Sequence, residues 1–100
     1  MAVKRTLGGR MDLARRLESL LTLAEEIGLD VRAEPMGGEG GGLCRLKGRL
    51  ILFVDTSADL ATRYDRTVVA MANLPENNDR YLLPEVRQDI EHYLASTRQE

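Results

Sequence analysis

The sequence is poor in the residues that most often carry chemistry or disulfide bonds. Among 100 residues it has no tryptophan, one cysteine and one histidine, and aromatic residues make up 4%. A single cysteine cannot form an internal disulfide, so nothing favours an oxidising compartment and we predict a cytoplasmic location. One cysteine and one histidine cannot complete a tetrahedral zinc site without suitably spaced carboxylates, and we predict no metal and no other cofactor. The scarcity of aromatic side chains also excludes the stacking platforms that bind single-stranded nucleic acid.

Charge and hydropathy argue against two further classes of partner. The formal net charge is −2, which gives no electrostatic basis for binding nucleic acid or an anionic membrane. No apolar run approaches the ~18 residues of a membrane span. Basic residues cluster within residues 1–16 and acidic residues within residues 76–100. This asymmetry could steer head-to-tail association, although solvated charged faces are the more ordinary interpretation, because exposed charge pairs contribute little.

The spacing of apolar residues predicts three helices and three strands in a single domain over residues 1–100. At 43% hydrophobic and 30% charged, the composition is that of an ordinary globular protein. Residues 1–9 are expected to form a flexible arm that ends at Gly8–Gly9. Helical periodicity then covers 11–27, and Gly28 ends that helix. Farther along we predict strands over 29–34, 43–47 and 49–55, and helices over 58–73 and 82–96.

These elements predict an α+β fold of order α-β-β-β-α-α. Lys47 and Gly48 form a tight turn, so the second and third strands should pair antiparallel, in a small antiparallel sheet with helices packed on one face. The apolar run over 50–54 predicts a central strand. In the second strand, Cys44 and Leu46 are the expected inward pair. The opposite sheet face is predicted to be solvated or an interface, and its polar residues are Asp30, Arg32, Glu34, Arg45 and Lys47.

A glycine-rich loop over residues 36–42 is the most unusual feature. Five of the nine glycines lie in it, directly before "LCR" and the only cysteine. A phosphate-binding P-loop requires G-x-x-x-x-G-K-[ST] between a strand and a helix, and the lysine, the hydroxyl and the helix are all missing here. Glu39 at the centre of the loop would also repel an anion. The loop is therefore predicted to be a flexible connection between strands, or a place where a partner approaches closely.

Cys44 is the candidate nucleophile, because it is the only thiol. A reactive thiol needs a neighbouring base and an electropositive setting. The only imidazole belongs to His92, which falls off the apolar stripe of the last helix and should face solvent. A Cys44–His92 dyad therefore has little support, and Cys44 is expected to be a small buried apolar residue.

The stretch "LILFVDTSAD" places an acid directly after an apolar strand. It resembles the opening of von Willebrand A-type metal sites, D-x-S-x-S, and of haloacid-dehalogenase phosphotransferases, D-x-D-x-[TV]. It departs from both, because Asp59 replaces the last serine of the first motif and Ser57 replaces the second aspartate of the second motif. Both folds also need a parallel sheet in a much longer chain. We therefore predict that Asp55, Thr56 and Ser57 cap the next helix.

The candidate site combines the loop with the polar residues expected near it. We predict ligand or partner binding, and no catalytic or metal-ligating role, for Gly37, Gly38, Gly40, Gly41, Gly42, Cys44, Arg45, Asp55 and Arg63.

The whole pattern, "IGLDVR…GGEGGGLCRLKGRLILFVD…LATRYDRTV…YLLPEVR", resembles a group of small bacterial proteins that are carried as conserved hypothetical proteins. That resemblance covers most of residues 12–90 and implies no activity, since the group has none assigned. The strand-turn-strand-helix order of residues 43–73 is also similar to the front of zincin-type metallopeptidases. Those carry H-E-x-x-H on the helix, whereas "ADLATRYDRTVVAMANL" has no histidine. The second resemblance therefore implies at most a metal-free remnant of that fold.

Two functional hypotheses of different class follow. The first is a non-enzymatic protein-interaction domain, which meets a protein partner or a second copy of itself through the polar sheet face or the glycine loop. The second is a small-ligand-binding protein or thiol-dependent enzyme that uses the loop with Cys44, Arg45, Asp55 and Arg63. We favour the first hypothesis, because the sequence has few residues of the types that carry catalysis and because basic and acidic residues cluster at opposite ends of it. A nucleic-acid role through the basic N-terminal residues is a weaker third hypothesis.

Overall fold

The computed structural model describes the backbone of residues 2–97 and the side chains of residues 12–97. The first helix, α1, spans Ala2–Glu26. Residues 2–9, for which the sequence predicts a flexible arm, thus have a helical backbone, and the helix continues through both early glycines. A glycine lowers helix stability by only about 1 kcal/mol relative to alanine, so two of them do not by themselves end a helix.

The C-terminus of α1 has the predicted glycine stop. Gly28 has a φ of +93°, and the backbone N–H of Leu29 donates to the carbonyl of Ala24 at 2.9 Å. This six-to-one bond is that of a Schellman motif, in which glycine takes the left-handed conformation after the last helical turn. The motif turns the chain directly into the first strand.

Three strands form one mixed sheet in the order β1-β3-β2. Their bounds are Asp30–Glu34 for β1, Gly42–Leu46 for β2 and Arg49–Asp55 for β3. The predicted antiparallel pairing of β2 with β3 is confirmed, and β3 is the central strand, as its apolar run predicts. However, β1 runs parallel to β3, so the sheet is not antiparallel throughout.

The turn between β2 and β3 fixes their pairing locally. Lys47 has a φ of +53° and Gly48 a φ of +80°. Positive φ at both central residues is the requirement of a type I′ turn, whose twist matches that of a hairpin. By contrast, β1 reaches β3 only through tertiary contact, because the chain after β1 crosses to the far edge of the sheet before it returns.

Two longer helices complete the α+β order predicted from the sequence: α2 spans Leu60–Met71 and α3 spans Pro84–Thr97, with a short 3-10 turn over Pro75–Asn78 between them. The N-cap of α2 is Asp59, whose carboxylate accepts the backbone N–H of Thr62 at 2.8 Å. The predicted capping by Asp55, Thr56 and Ser57 is therefore wrong. Asp59 takes that role because it stands directly before the first helical residue, where a carboxylate reaches the free amides.

The core lies between the three helices and one face of the sheet. Leu52 and Val54 of β3 point into it and are 0% and 3% exposed. Most of the other buried members come from the helices: Leu17, Leu20, Leu23, Ala24, Tyr64, Val68, Met71, Val86 and Ile90.

The register of β2 corrects the predicted inward pair. Leu43 lies opposite Leu52, so Leu43 and Arg45 are on the helix side of the sheet, and the side chains of Cys44 and Leu46 are on the other side. Cys44 is exposed, and Leu46 is 51% exposed. The sequence "LCRL" has apolar residues in both alternating sets, and only pairing with β3 decides which set faces the helices.

Candidate functional site

The glycine-rich loop crosses the C-terminal end of the central strand. Residues 35–41 leave β1 beside the end of β3 and enter β2 on the opposite side of it. Asp55, the last residue of β3, lies under this crossing and is 2% exposed. Its Oδ1 accepts the backbone N–H groups of Met36 at 2.8 Å and Ser57 at 2.9 Å, and its Oδ2 accepts that of Gly40 at 2.9 Å.

These amides determine the charge state of Asp55. Burial alone would raise the pKa of its carboxyl, but hydrogen bonds from the amides of Gly40, Ser57, Met36 and Gly38 outweigh burial and lower the pKa below its ordinary value. The carboxylate is thus ionised at neutral pH. The loop does form an anion cradle of backbone amides, and the anion that it holds is a side chain of the same protein.

Arg66 of α2 holds the loop from the other side. Its Nη1 donates to the carbonyl oxygens of Gly38 at 2.8 Å and Gly40 at 2.7 Å. Sequence reasoning missed this residue, because nothing in a lone exposed-face arginine indicates a bond to a loop 26–28 residues away. Arg63, which the sequence assigned to the candidate site, instead donates to the carbonyl of Ala58 at 2.9 Å and supports the connection between β3 and α2.

The five loop glycines each have a structural reason. Four of them have positive φ, namely Gly37, Gly38, Gly41 and Gly42. At Gly38, with a φ of +87°, any other residue would be strained. Gly40 lacks positive φ, but a Cβ there would lie 2.6 Å from the Cβ of Met36. The high number of glycines in this loop is therefore explained by its tight crossing over β3, which Asp55 and Arg66 hold in place. A flexible connection between strands would not require them.

Cys44 lies outside this network and is exposed, so the expectation of a buried thiol is wrong. Its Sγ donates a long hydrogen bond to the carbonyl of Arg45, at 3.9 Å. His92 is exposed, as predicted, and lines a cavity between the helices, whereas Cys44 lines a different one on the sheet. The two residues of the hypothetical dyad therefore border separate cavities.

Among the described residues, β1 and β2 each pair only with β3, and two cavities border the outer edge of β2. An apolar groove lies on each side of it. The helix-side groove, of about 380 Å³, is lined by Gly41, Gly42, Leu43, Asp65, Arg66, Val69 and Ala70. The open-side groove, of about 290 Å³, is lined by Met36, Gly41, Gly42, Leu43, Cys44 and Phe53. Val69 is 46% exposed in the first groove.

A polar cluster connects the three helices. Asp89 of α3 accepts hydrogen bonds on Oδ2 from Arg16 Nη1 at 2.9 Å and from the Tyr64 hydroxyl at 2.5 Å, and Arg16 also pairs with Asp12. Burial and the bond to Asp89 raise the pKa of the Tyr64 phenol above its usual range. Arg16 and Asp89 thus pair a basic residue near the start of the sequence with an acidic residue near its end, so part of the charge asymmetry is neutralised within the molecule.

Two properties of the described residues bear on other classes of function. Over that part of the chain, no group of three or more His, Cys, Asp and Glu side chains is placed to hold a metal ion. Nor does any helix described here combine the length and apolar character needed to cross a membrane.

Comparison with family models, with curated proteins and with solved structures gave no match. The resemblances noted in the sequence therefore stay predictions.

Proposed function

We propose that this protein is a non-enzymatic interaction module that binds an extended polypeptide segment by strand addition at the free edge of β2. The observation that carries this proposal is the outer edge of β2, which no other described strand pairs with and which has an apolar groove on each side. In strand addition, main-chain hydrogen bonds supply affinity, while alternate side chains of the added strand enter pockets on opposite faces of the sheet. The two grooves lie where those alternate side chains would point.

The two edges of the sheet differ in the way this function requires. Natural proteins protect exposed edges with charged side chains and proline. Strand β1 has three charged residues among its five, and Pro35 follows it directly. Strand β2 has one charged residue, Arg45, and no proline. The edge at β2 is therefore the one available for a further strand.

The hypothesis of a small-ligand or thiol-dependent enzyme has less support. The loop amides of Met36 and Gly40 that could receive an anionic ligand already donate to Asp55. The thiol of Cys44 and the imidazole of His92 border different cavities. A module of this kind needs neither a reactive thiol nor a cofactor, and the cytoplasmic location predicted from the single cysteine is compatible with it.

The proposal is tested by selecting displayed peptides of eight random residues on the immobilised protein. Peptides that bind are then titrated against the ¹⁵N-labelled protein, and amide shifts are followed by NMR. Strand addition predicts the largest shifts in residues 42–46 and around Val69. The variant Val69→Glu places a charge in the helix-side groove at an exposed position, so it should fold normally and lose at least tenfold in peptide affinity.

Ala33→Glu provides the matched control. Ala33 is exposed on the opposite edge strand, so the same kind of charge placed there should leave peptide affinity unchanged. Shifts that map away from β2, or equal affinities for Val69→Glu and wild type, would show that β2 is not the binding edge. Failure to select any peptide that distinguishes the two variants would contradict the proposal as well.

A further inference from the structure

The edge of β2 is complementary to itself. We infer that its occupant is β2 of a second copy of this chain, paired antiparallel about a two-fold axis at Cys44, so that two three-stranded sheets join into one of six strands. This inference rests on the proposed function, because it names the partner for the same edge. It is carried by the fit between what β2 exposes and what the two grooves offer.

Symmetry restricts the possible registers. In a two-fold antiparallel pair, directly opposed residues share a sheet face, so one residue on the axis must oppose its own copy. With Cys44 on the axis, Leu46 opposes the partner's Gly42, and Arg45 opposes the partner's Leu43. Each of these contacts occurs twice in the dimer.

On the open side of the sheet, this register places an exposed side chain over an empty position. Leu46 is 51% exposed, and Gly42 has no side chain to fill the space beside Phe53, its neighbour across the β2–β3 pair. The side chain of Leu46 would therefore enter the open-side groove of the partner, against the ring of the partner's Phe53. Burial of an exposed leucine side chain in an apolar groove is favourable, because it removes apolar surface from water.

On the helix side, the same register brings opposite charges together. Arg45 lies over the partner's Leu43, and its apolar stem can pack along the helix-side groove while its guanidinium reaches toward the partner's Asp65. Arg66 also borders this groove, but its Nη1 is bonded to the carbonyls of Gly38 and Gly40. Asp65 is thus the acidic group that faces an incoming cation.

Neighbouring registers lose this fit. A shift of two residues in one direction puts Arg45 opposite the partner's Arg45, and like charges directly opposed across a strand pair are destabilising. A shift of two residues in the other direction moves Leu46 past Gly42 to Gly40, which lies outside β2. Only the register centred on Cys44 fills both grooves.

The inference is tested by sedimentation equilibrium from 1 μM to 1 mM. We expect a reversible monomer–dimer equilibrium for the wild type. Arg45→Glu and Asp65→Arg should each weaken the dimer at least tenfold, because each places like charges across the interface. The double variant restores opposite charges, so it should recover most of the lost affinity. Asp79→Arg, an equal charge change at an exposed position outside the grooves, should have no effect.

Cys44 supplies a direct measure of the register. Opposed residues in an antiparallel pair have Cα atoms ~4.5–5.5 Å apart, and a disulfide needs ~4.4–6.8 Å. Mild oxidation with copper-phenanthroline should therefore give a disulfide-linked dimer of the wild type at concentrations where it self-associates. Leu46→Lys should reduce the yield, since it removes the side chain that enters the open-side groove.

Each outcome has a defined meaning. A dimer that responds to the charge variants and links through Cys44 supports the inference. A protein that stays monomeric at 1 mM while selected peptides still bind β2 overturns the self-pairing and leaves the proposed function intact. A dimer that ignores the variants and does not link through Cys44 overturns the inference, since it must form through another surface. Absence of both peptide binding and dimerisation overturns the inference and the proposed function together.

Discussion

Replacement of Gly40 by alanine perturbs the loop crossing by a single methyl group. The new Cβ would lie 2.6 Å from the Cβ of Met36 and 2.7 Å from its Sδ. Carbon atoms in favourable contact are ~3.5–4.0 Å apart, so the loop must move by about 1 Å to accommodate the methyl group. A movement of this size lengthens both bonds that Gly40 makes, to Asp55 at 2.9 Å and to Arg66 at 2.7 Å.

The free energy of unfolding should fall by about 2–4 kcal/mol. Insertion of a methyl group into a tightly packed position destabilises by roughly 1–3 kcal/mol, and each weakened loop hydrogen bond contributes about 0.5–1.5 kcal/mol. The loss of unfolded-state freedom from glycine to alanine offsets about 0.4–1 kcal/mol. At roughly 4–8 °C per kcal/mol for a domain of this size, the melting temperature should drop by roughly 8–32 °C.

Urea unfolding followed by circular dichroism at 222 nm measures this change. Gly28→Ala is the matched control: Gly28 has a φ of +93° and open space around it, so that variant reports backbone strain without a collision, about 1–2 kcal/mol. Met36→Gly removes the colliding Cβ, and the double variant should recover at least 1 kcal/mol relative to the sum of the two single changes. If the free energy of unfolding of Gly40→Ala lies within about 0.5 kcal/mol of the wild-type value, the interpretation of the loop as a tight crossing is refuted.

Three further predictions concern single side chains. Asp55→Asn should lower the urea midpoint more than Asp59→Asn, because an amide NH₂ at Asp55 would face backbone donors, whereas asparagine caps a helix as well as aspartate does. The folded pKa of Asp55 lies below its ordinary value. The stabilisation by its carboxylate is therefore full above an unfolded pKa of about 3.9 and is lost as pH falls through the folded pKa. A difference in free energy of unfolding between wild type and Asp55→Asn that stays constant from pH 7 to pH 2 would argue against a stabilising, ionised Asp55. Tyr64→Phe should lower the free energy of unfolding by about 1 kcal/mol through loss of the bond to Asp89. Because the folded pKa of Tyr64 is raised above its ordinary value, its stabilisation is full below an unfolded pKa of about 10 and is lost as pH rises through the folded pKa. Absorbance titration at 295 nm should therefore give the same amplitude near pH 10 for wild type and Tyr64→Phe, and a larger amplitude for wild type would contradict the cluster. The thiol of Cys44, which is exposed, should react with Ellman's reagent in dilute folded protein as readily as in the unfolded chain, and slow labelling of dilute protein would contradict its exposure.

The network around Asp55 has a consequence for the interpretation of glycine-rich loops. Backbone amides that converge on one point are the usual basis for predicting a bound phosphate. Here that point is occupied by a carboxylate from the strand beneath, and Arg66 completes the arrangement by bonding the loop carbonyls. The loop is thereby positioned next to the N-terminal end of β2, where it forms one wall of both grooves. Its contribution to the proposed function is to shape the free edge.

Much of the fold was predictable, because it depends on local patterns. The apolar spacing along α2 and α3 is visible in the sequence, and Tyr64, Val68, Val86 and Ile90, which fall on these apolar stripes, are buried. The pairing of β2 with β3 follows from the two-residue turn between them. The candidate site was only partly predictable: Asp55 and the glycines lie together in the structure, while Arg63 supports a different connection and Arg66 was missed.

The sequence by itself determined the elements, their order and the single hairpin, since each of these depends on residues within a few positions of one another. The tertiary structure alone decided the parallel pairing of β1 with β3, the outward orientation of Cys44 and Leu46, and the capture of Asp55 by loop amides 15–19 residues away. These features depend on which surfaces meet when the helices cover the sheet. A pattern such as "LCRL" satisfies either orientation locally, and only the burial of Leu43 against the helices selects one of them.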